Sequence, residues 1–235
     1  MNTKKRVKRI VLREVDSTNE YAKSLRASGR NEDVIITAKR QTAGRGTKGR
    51  SFSSGEGGVY LTYLRFFEDF EAKRAFEIMA SAAVAVCKTL ESFGFSPVIK
   101  WANDVHVNGK KICGILTENT FCGDKVQSSI VGVGLNVNNL LESELQSIAT
   151  TMRQEMGKRI CLRRVLRRLI ENLQGSFSMN EYLSRLGYMG RRVELLLGDE
   201  RVPATLLSVD NEGILTVERD GEEKRFSAAE ISVIF

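Results

Sequence analysis

The sequence predicts an α+β protein whose chain ends in a small all-β barrel. Two observations lead there. Up to about residue 187, short β-branched runs alternate with helical stretches and include a β-meander. From Gly190 onward, short strands alternate with turns at Gly198-Asp199, Asn211-Glu212-Gly213 and Asp220-Gly221, a spacing that suits a barrel. The expected domains are therefore 1–187 and 188–235.

Each element has its own signal. Arg9 to Val15 reads as a strand. Asp16-Ser17-Thr18-Asn19-Glu20 is rich in N-cap residues, and a helix from about Asn19 to Ala27 stops at Gly29. Val34 to Ala38 is a buried strand, Gln41 to Gly58 a long glycine-rich loop, and Val59 to Phe66 a strand again. Ala72 to Phe93 is apolar around most of its circumference and predicts a buried helix ending at Gly94. Val98 to Trp101 is extended. Asn108-Gly109, between Val-His-Val and Lys-Lys-Ile, predicts a type I′ hairpin whose return strand is Lys111 to Glu118. After a turn near Cys122-Gly123-Asp124, Val126 to Asn138 reads as a strand. A basic helical region covers about Arg159 to Leu186.

Composition narrows the class. The 235 residues are 42% hydrophobic, enough for one large domain with a small appendage. Pro97 and Pro203 are the only prolines, so no proline-rich linker exists. The apolar stretch Ile78 to Val86 is too short to span a bilayer. The basic start, Met1 to Arg9, leads into no signal-peptide core. Cys87, Cys113, Cys122 and Cys161 form no C-x-x-C pair, and they suit the reduced thiols of a cytoplasmic protein. The net charge of +7 attracts polyanions, without choosing among nucleic acid, nucleotides and acidic proteins.

Three stretches carry chemistry. In Ile130 to Asn138, strand alternation puts Val131, Val133, Leu135 and Val137 on one face. The other face holds Ile130, Gly132, Gly134, Asn136 and Asn138. Glycines inside a strand mark close approach, by a ligand or by a packed neighbour. The loop Gly44-Arg45-Gly46-Thr47-Lys48-Gly49-Arg50 formally fits G-x-G-x-x-G. However, no helix follows it, which argues against a dinucleotide fingerprint, and it lacks the Gly-Lys-Ser/Thr of a Walker loop. Its amides and arginines suit either an anion nest or a solvated surface loop. Finally, the hairpin brings Asp104 and Lys111 together, as a site for Mg²⁺ and phosphate or as a plain strand-edge ion pair. Alternation lets only one of Lys110 and Lys111 face that site. His106, between two valines, is expected to point outward. Trp101 suits the core or an adenine platform.

Together these residues resemble the catalytic module of biotin–protein ligases. The matching stretches are Asp16 to Asn19, Gln41 to Gly46, Lys100 to Asp104, Lys111 to Glu118, and Gly132 to Asn138. They occur in the family's order over roughly residues 8 to 140. The resemblance implies a mixed β-sheet backed by helices, akin to class II aminoacyl-tRNA synthetases, with biotin lying on the sheet. It also makes the tail a Src-homology-3-like barrel. Ser17, Thr18, Asn19 and Gln41 would surround the biotin ring, with Gly132 and Gly134 as its floor. Gly44, Arg45, Gly46 and Thr47 would complete the biotin site. Lys111 would meet the biotin carboxylate and the phosphate, acting with Arg45 and Asp104 as the catalytic set. Arg50, Phe52, Lys100, Trp101, Asn103 and Asn136 would hold ATP and the adenylate, and Asp104 would hold Mg²⁺. The implied reaction forms biotinyl-5′-adenylate and pyrophosphate. A lysine of a biotin carboxyl carrier domain then attacks the mixed anhydride.

Some positions depart from the family pattern. Thr47 stands where many members carry a second arginine, which Lys48 replaces only in part. Ala102 replaces a common proline, and Phe52 a frequent tryptophan. The first strand starts within about ten residues of Met1, so no DNA-binding domain and no operator binding are expected. A monomer or a homodimer, away from membranes, fits equally. A lipoate ligase or octanoyltransferase is the nearest alternative, but the polar set around Gln41 suits a ureido ring better than an alkyl chain. Arg159, Arg163, Arg164, Arg167 and Arg168 recur at helical spacing. They read as a solvated face, with nucleic acid or an acidic acceptor domain as alternatives.

Overall fold

The computed structural model describes residues 7–234; Met1 to Arg6, most of the basic start, and Phe235 lie outside the described residues. The first sheet has seven strands in the order β1-β2-β3-β7-β6-β5-β4. These are β1 (Lys8–Val15), β2 (Val34–Gln41), β3 (Val59–Phe66), β4 (Val98–Lys100), β5 (Asp104–Val107), β6 (Lys110–Cys122) and β7 (Lys125–Leu135). Only β1 and β2 pair in parallel. Their connection is long enough for a crossover helix, α1 (Thr18–Ala27). The remaining neighbours are antiparallel, so the sheet is mixed.

Alternation along the strands creates two faces. Val131, Val133 and Leu135 of β7 join the large core with α2 (Ala75–Glu91), Met152 of the short α3 (Met152–Met156) and α4 (Leu162–Leu173). Alanines at 80, 82, 83 and 85 let α2 lie close to this face. Ile130 points the other way and packs with Ala22 of α1, Val34, Ile36 and Leu64. The glycines of β7 lie on this second face, Gly132 under the start of α1 and Gly134 under the Phe52 ring.

The hairpin forms as expected: Asn108 and Gly109 both take positive φ, 50° and 80°. Three expectations need correction. The basic helical region is two helices, α4 and α5 (Met179–Leu183), with a capping box at Ser178 and Glu181 restarting the second. The last strand of the meander ends at Leu135, not Asn138. Beyond it alternation lapses, and Asn136 and Asn138 turn inward, 4% and 7% exposed. His106 is buried, at 6% exposure. The β5–β6 register shifts between Val105 and His106, and Tyr188 Oη lies 3.3 Å from His106 Nδ1. Burial pulls its pKa down to about 4.

The C-terminal sheet is antiparallel, with five strands in the order β11-β10-β9-β8-β12. They are β8 (Arg192–Leu197), β9 (Glu200–Val209), β10 (Leu215–Arg219), β11 (Glu222–Phe226) and β12 (Ile231–Ile234). It meets the first sheet at Gly213, whose carbonyl accepts from Trp101 Nε1 at 3.0 Å and whose missing side chain leaves room for Phe76. The arginines of α4 lie on the helix-backed side of the first sheet, away from the glycines of β7. No helix among the described residues is long and apolar enough to cross a membrane.

Candidate active site

A cavity of about 100 Å³ opens on the α1 face of the first sheet. Its lining includes Ser17, Thr18, Asn19, Gln41, Arg45, Gly46, Thr47, Arg50, Phe52, Asn103, Asp104, Lys111, Gly132 and Gly134. Fourteen residues singled out from the sequence therefore converge on one hollow. Their elements explain why. α1 begins at Thr18, so its first turn aims Ser17, Thr18 and Asn19 at the sheet. β2 ends at Gln41 and delivers its side chain beside them.

This end of the cavity is a hydrogen-bonded lattice. Gln41 Oε1 accepts from the Thr18 amide at 2.8 Å and from Thr18 Oγ1 at 2.9 Å, and Gln41 Nε2 donates to Ser54 Oγ at 2.9 Å. Thr62 Oγ1 lies 2.7 Å from both Thr18 Oγ1 and Asn19 Oδ1. Asn19 Nδ2 donates to Glu118 Oε2 at 3.1 Å. Glu118 in turn pairs with Lys23, which also pairs with Glu20. The hydrogen bond to Glu118, then that to Glu20, raises the Lys23 pKa. Sequence reasoning missed Thr62 and this lysine, and it gave Glu118, the end of the Lys111 to Glu118 stretch, no role. A lone threonine in the otherwise apolar Val59-Tyr60-Leu61-Thr62-Tyr63-Leu64 run was the available signal.

At the other end, Lys111 Nζ sits 2.7 Å from Asp104 Oδ1. Lys110 points away and donates to the Gln146 carbonyl at 2.8 Å, as alternation requires. The Phe52 ring lies over Gly134 and Gly114, with Lys111 Nζ 6.0 Å from its centroid. Asn19 covers Gly132 in the same way. The two glycines are thus partly roofed by these side chains, which a Cβ at either position would displace. The loop wall is lighter. Arg45 pairs with Glu20 at 2.9 Å, and Arg45 and Ser51 form an isolated bridge.

A second cavity, of about 480 Å³, lies between the first sheet and the C-terminal sheet. It shares Thr47, Arg50, Asn103 and Asp104 with the first and adds Lys100 and Trp101. Burial lowers the Lys100 pKa. Of the two readings of Trp101, core or adenine platform, its burial fits the core, at the edge of the second cavity. Its indole is 6% exposed and its N–H is spent on Gly213. The Trp101–Ala102 peptide is cis. Asn136 reaches neither cavity: its Nδ2 donates to the Thr150 carbonyl and its Oδ1 accepts from Asn139. Gly44 is buried behind the first cavity, against Ser54 and the Phe52 carbonyl. Lys48 was expected to share the arginine's role over the cavity, but it turns from the first cavity to the C-terminal sheet, at the edge of the second.

Asp104 suits a magnesium ion carried in by a nucleotide. Mg²⁺ in such sites uses one or two carboxylates, with phosphate oxygens and water completing the shell. Among the described residues no cluster of three or more His, Cys, Asp or Glu exists, so a cage built by the protein alone is not formed.

The chain whose cavity sets Thr18, Gln41 and Asn19 near a lysine–carboxylate pair is similar to known proteins. A family model described as the biotin/lipoate A/B protein ligase family covers residues 11–136. The chain is 31% identical over 234 residues to the bifunctional ligase/repressor BirA of Bacillus subtilis (strain 168), spanning 93% of this chain and 72% of that protein. It is 28% identical to the biotin–[acetyl-CoA-carboxylase] ligase of Mycobacterium tuberculosis, over 94% of this chain and 87% of that protein. The biotin protein ligase from Aquifex aeolicus, solved in complex with biotin and ATP, superposes with a TM-score of 0.76 at 31% identity, covering 96% of this chain and 98% of that one. A fold, an ordered set of motifs and a converged cavity thus agree, and the chain belongs to the biotin/lipoate A/B protein ligase family, among its biotin protein ligases.

Proposed function

We propose that this protein activates biotin with ATP to biotinyl-5′-adenylate and transfers the biotin to a lysine of a biotin carboxyl carrier domain. The observation that carries this reading is the two-ended first cavity, with amide and hydroxyl groups at one end and Lys111 beside Asp104 at the other. A ureido ring has donors and acceptors for Gln41, Thr18 and Asn19. A lipoyl dithiolane or octanoyl chain has none and would shield the remaining hydrogen-bonding capacity of those groups from water without replacing it, which costs about 1–3 kcal/mol per buried group.

The roles follow from charge and position. Lys111 neutralises the biotin carboxylate and the charge that develops on the α-phosphate during attack. The Arg45 and Arg50 guanidiniums stand on the loop wall, where they bind phosphate oxygens. The second cavity continues from Thr47, Arg50, Asn103 and Asp104, so it takes the rest of the nucleotide, with Lys100 at its wall. Mg²⁺ bound at Asp104 would supply charge neutralisation on the phosphates. Much of the remaining task is holding carboxylate and phosphate in line and keeping water from the anhydride. We place the chemistry in residues 1–187 and assign the small barrel to 188–235. The four free cysteines support a cytoplasmic location.

The test is pyrophosphate release from Mg-ATP with biotin, lipoate or octanoate supplied in turn. Release with biotin alone supports the assignment. Release with lipoate alone keeps the fold and overturns the substrate.

A further inference from the structure

The turn Thr47–Gly49 has two sides. One side carries Thr47 and Arg50, which line both cavities. The other carries Lys48, which turns away from the first cavity and borders only the second. Lys48 Nζ donates to the Ile231 carbonyl at 2.8 Å and lies 3.1 Å from Ser232 Oγ, both on β12. The backbone is shaped for this. Lys48 takes φ 56° and Gly49 φ 72°, two successive left-handed residues that reverse the chain. Arg50 stiffens the turn through the Thr47 carbonyl and hydroxyl, each at 3.3 Å. Desolvation, then Arg50, lowers the Lys48 pKa, consistent with an ammonium drawn toward the sheet. β12 is itself fixed: Ile231 and Val233 are buried in the large core, and the sheet is bonded to Trp101 through Gly213.

We propose that the C-terminal sheet buttresses the loop wall of the active site, and that Lys48 is the positioning residue through which it acts. This rests on the function proposed above. Among the described residues the loop wall is also tied by Arg45 to Glu20, by Ser53 Oγ to Glu142 at 2.8 Å and by the Phe52 ring over Gly114 and Gly134. The first two are exposed and hold weakly. A further tie, to a rigid neighbour, slows opening of the wall and lengthens the time for which the adenylate stays bound before an acceptor arrives. Lys48 borders the second cavity, but its ammonium is taken up by β12. Its part in this scheme is to hold Thr47 and Arg50 in place.

Two readouts test it in the full chain. The first is hydrogen–deuterium exchange of the ligand-free protein. Lys48→Met and Ser232→Ala should each speed exchange of the 44–52 amides, and Lys48→Arg should restore protection. The second is a chase of preformed radiolabelled biotinyl-adenylate without acceptor. Loss should be about fivefold faster in Lys48→Met, the scale of a hydrogen bond to a charged group at a partly exposed site. Lys48→Arg, which keeps the charge and the tether, should return the adenylate lifetime to within about twofold of the wild type. The Lys48→Met/Ser232→Ala double variant should lose adenylate no faster than Lys48→Met alone. Unchanged exchange in Lys48→Met overturns the tether. Faster exchange with an unchanged adenylate lifetime, or additive effects in the double variant, overturns its role in retention. A wild-type protein that releases no pyrophosphate with biotin overturns the preceding function instead, and hydrogen exchange by itself then decides whether the tether exists.

Discussion

The two walls of the first cavity are built differently. The sheet wall is made of β2, β3, β6, β7 and the first turn of α1, and its polar groups are buried and multiply bonded: Thr18, Asn19 and Thr62 are 3%, 4% and 0% exposed. The loop wall, Arg45 to Ser53, is largely exposed and hangs on one ion pair, a few side-chain hydrogen bonds and the Phe52 ring. The difference separates recognition from retention. A preformed polar wall selects the ring, because unpaired buried groups penalise anything else. A weakly held wall can open to admit substrates and to present the adenylate, because exposed ion pairs contribute little.

The largest effect should come from the fixed wall. Lys111→Ala removes the lysine that lines the first cavity and leaves Asp104 without its partner. We expect kcat/KM for pyrophosphate release to fall about 10²–10³-fold, the range for loss of one preorganised charge-stabilising group. A loss under about tenfold would place the reacting centre elsewhere.

The second effect concerns stability. His106 lies beneath the same wall, on β5, and its pKa is lowered from 6.5 to about 4 mainly by burial. Below 6.5 the unfolded chain takes up a proton that the folded chain refuses until about 4. Stability is therefore lost as pH falls through that window, by about 3 kcal/mol in total. Urea unfolding at pH 7 and pH 4.5 should show a smaller acid loss in His106→Gln than in the wild type. Parallel losses would mean that the imidazole titrates normally.

Gln41→Ala should act on KM rather than kcat. It removes the acceptor for Thr18 and the donor to Ser54 and should raise KM for biotin about tenfold, the scale of one or two hydrogen bonds. If kcat falls while KM stays, Gln41 serves the transition state and the division between the walls fails. The smallest effect is expected at Glu20→Ala, which frees Arg45 and one arm of Lys23. Both pairs are half-exposed, so biotin KM should change by no more than about threefold and the change should shrink in high salt.

The sequence made the sheet wall legible and the loop wall only in part. Gly132 and Gly134 stand out because a strand interior rarely spares two side chains. The lysine of the hairpin follows from Asn108-Gly109 and alternation. Asn136 and Asn138 were misplaced because alternation holds only while the strand lasts, and β7 ends at Leu135. His106 was misplaced for a related reason: one register shift turns a residue to the other face. Trp101 and Lys48 depend on Gly213 and Ser232, more than a hundred residues away in the chain. No local pattern reports such a contact.

The most direct measurement is the intact mass of a purified biotin carboxyl carrier domain after incubation with this protein, Mg-ATP and an equal mixture of biotin and lipoate. We expect the carrier to gain one biotin, at a lysine, and the Lys111→Ala protein to leave it unmodified. A carrier that stays bare, or that gains lipoate in preference to biotin, would contradict the central claim.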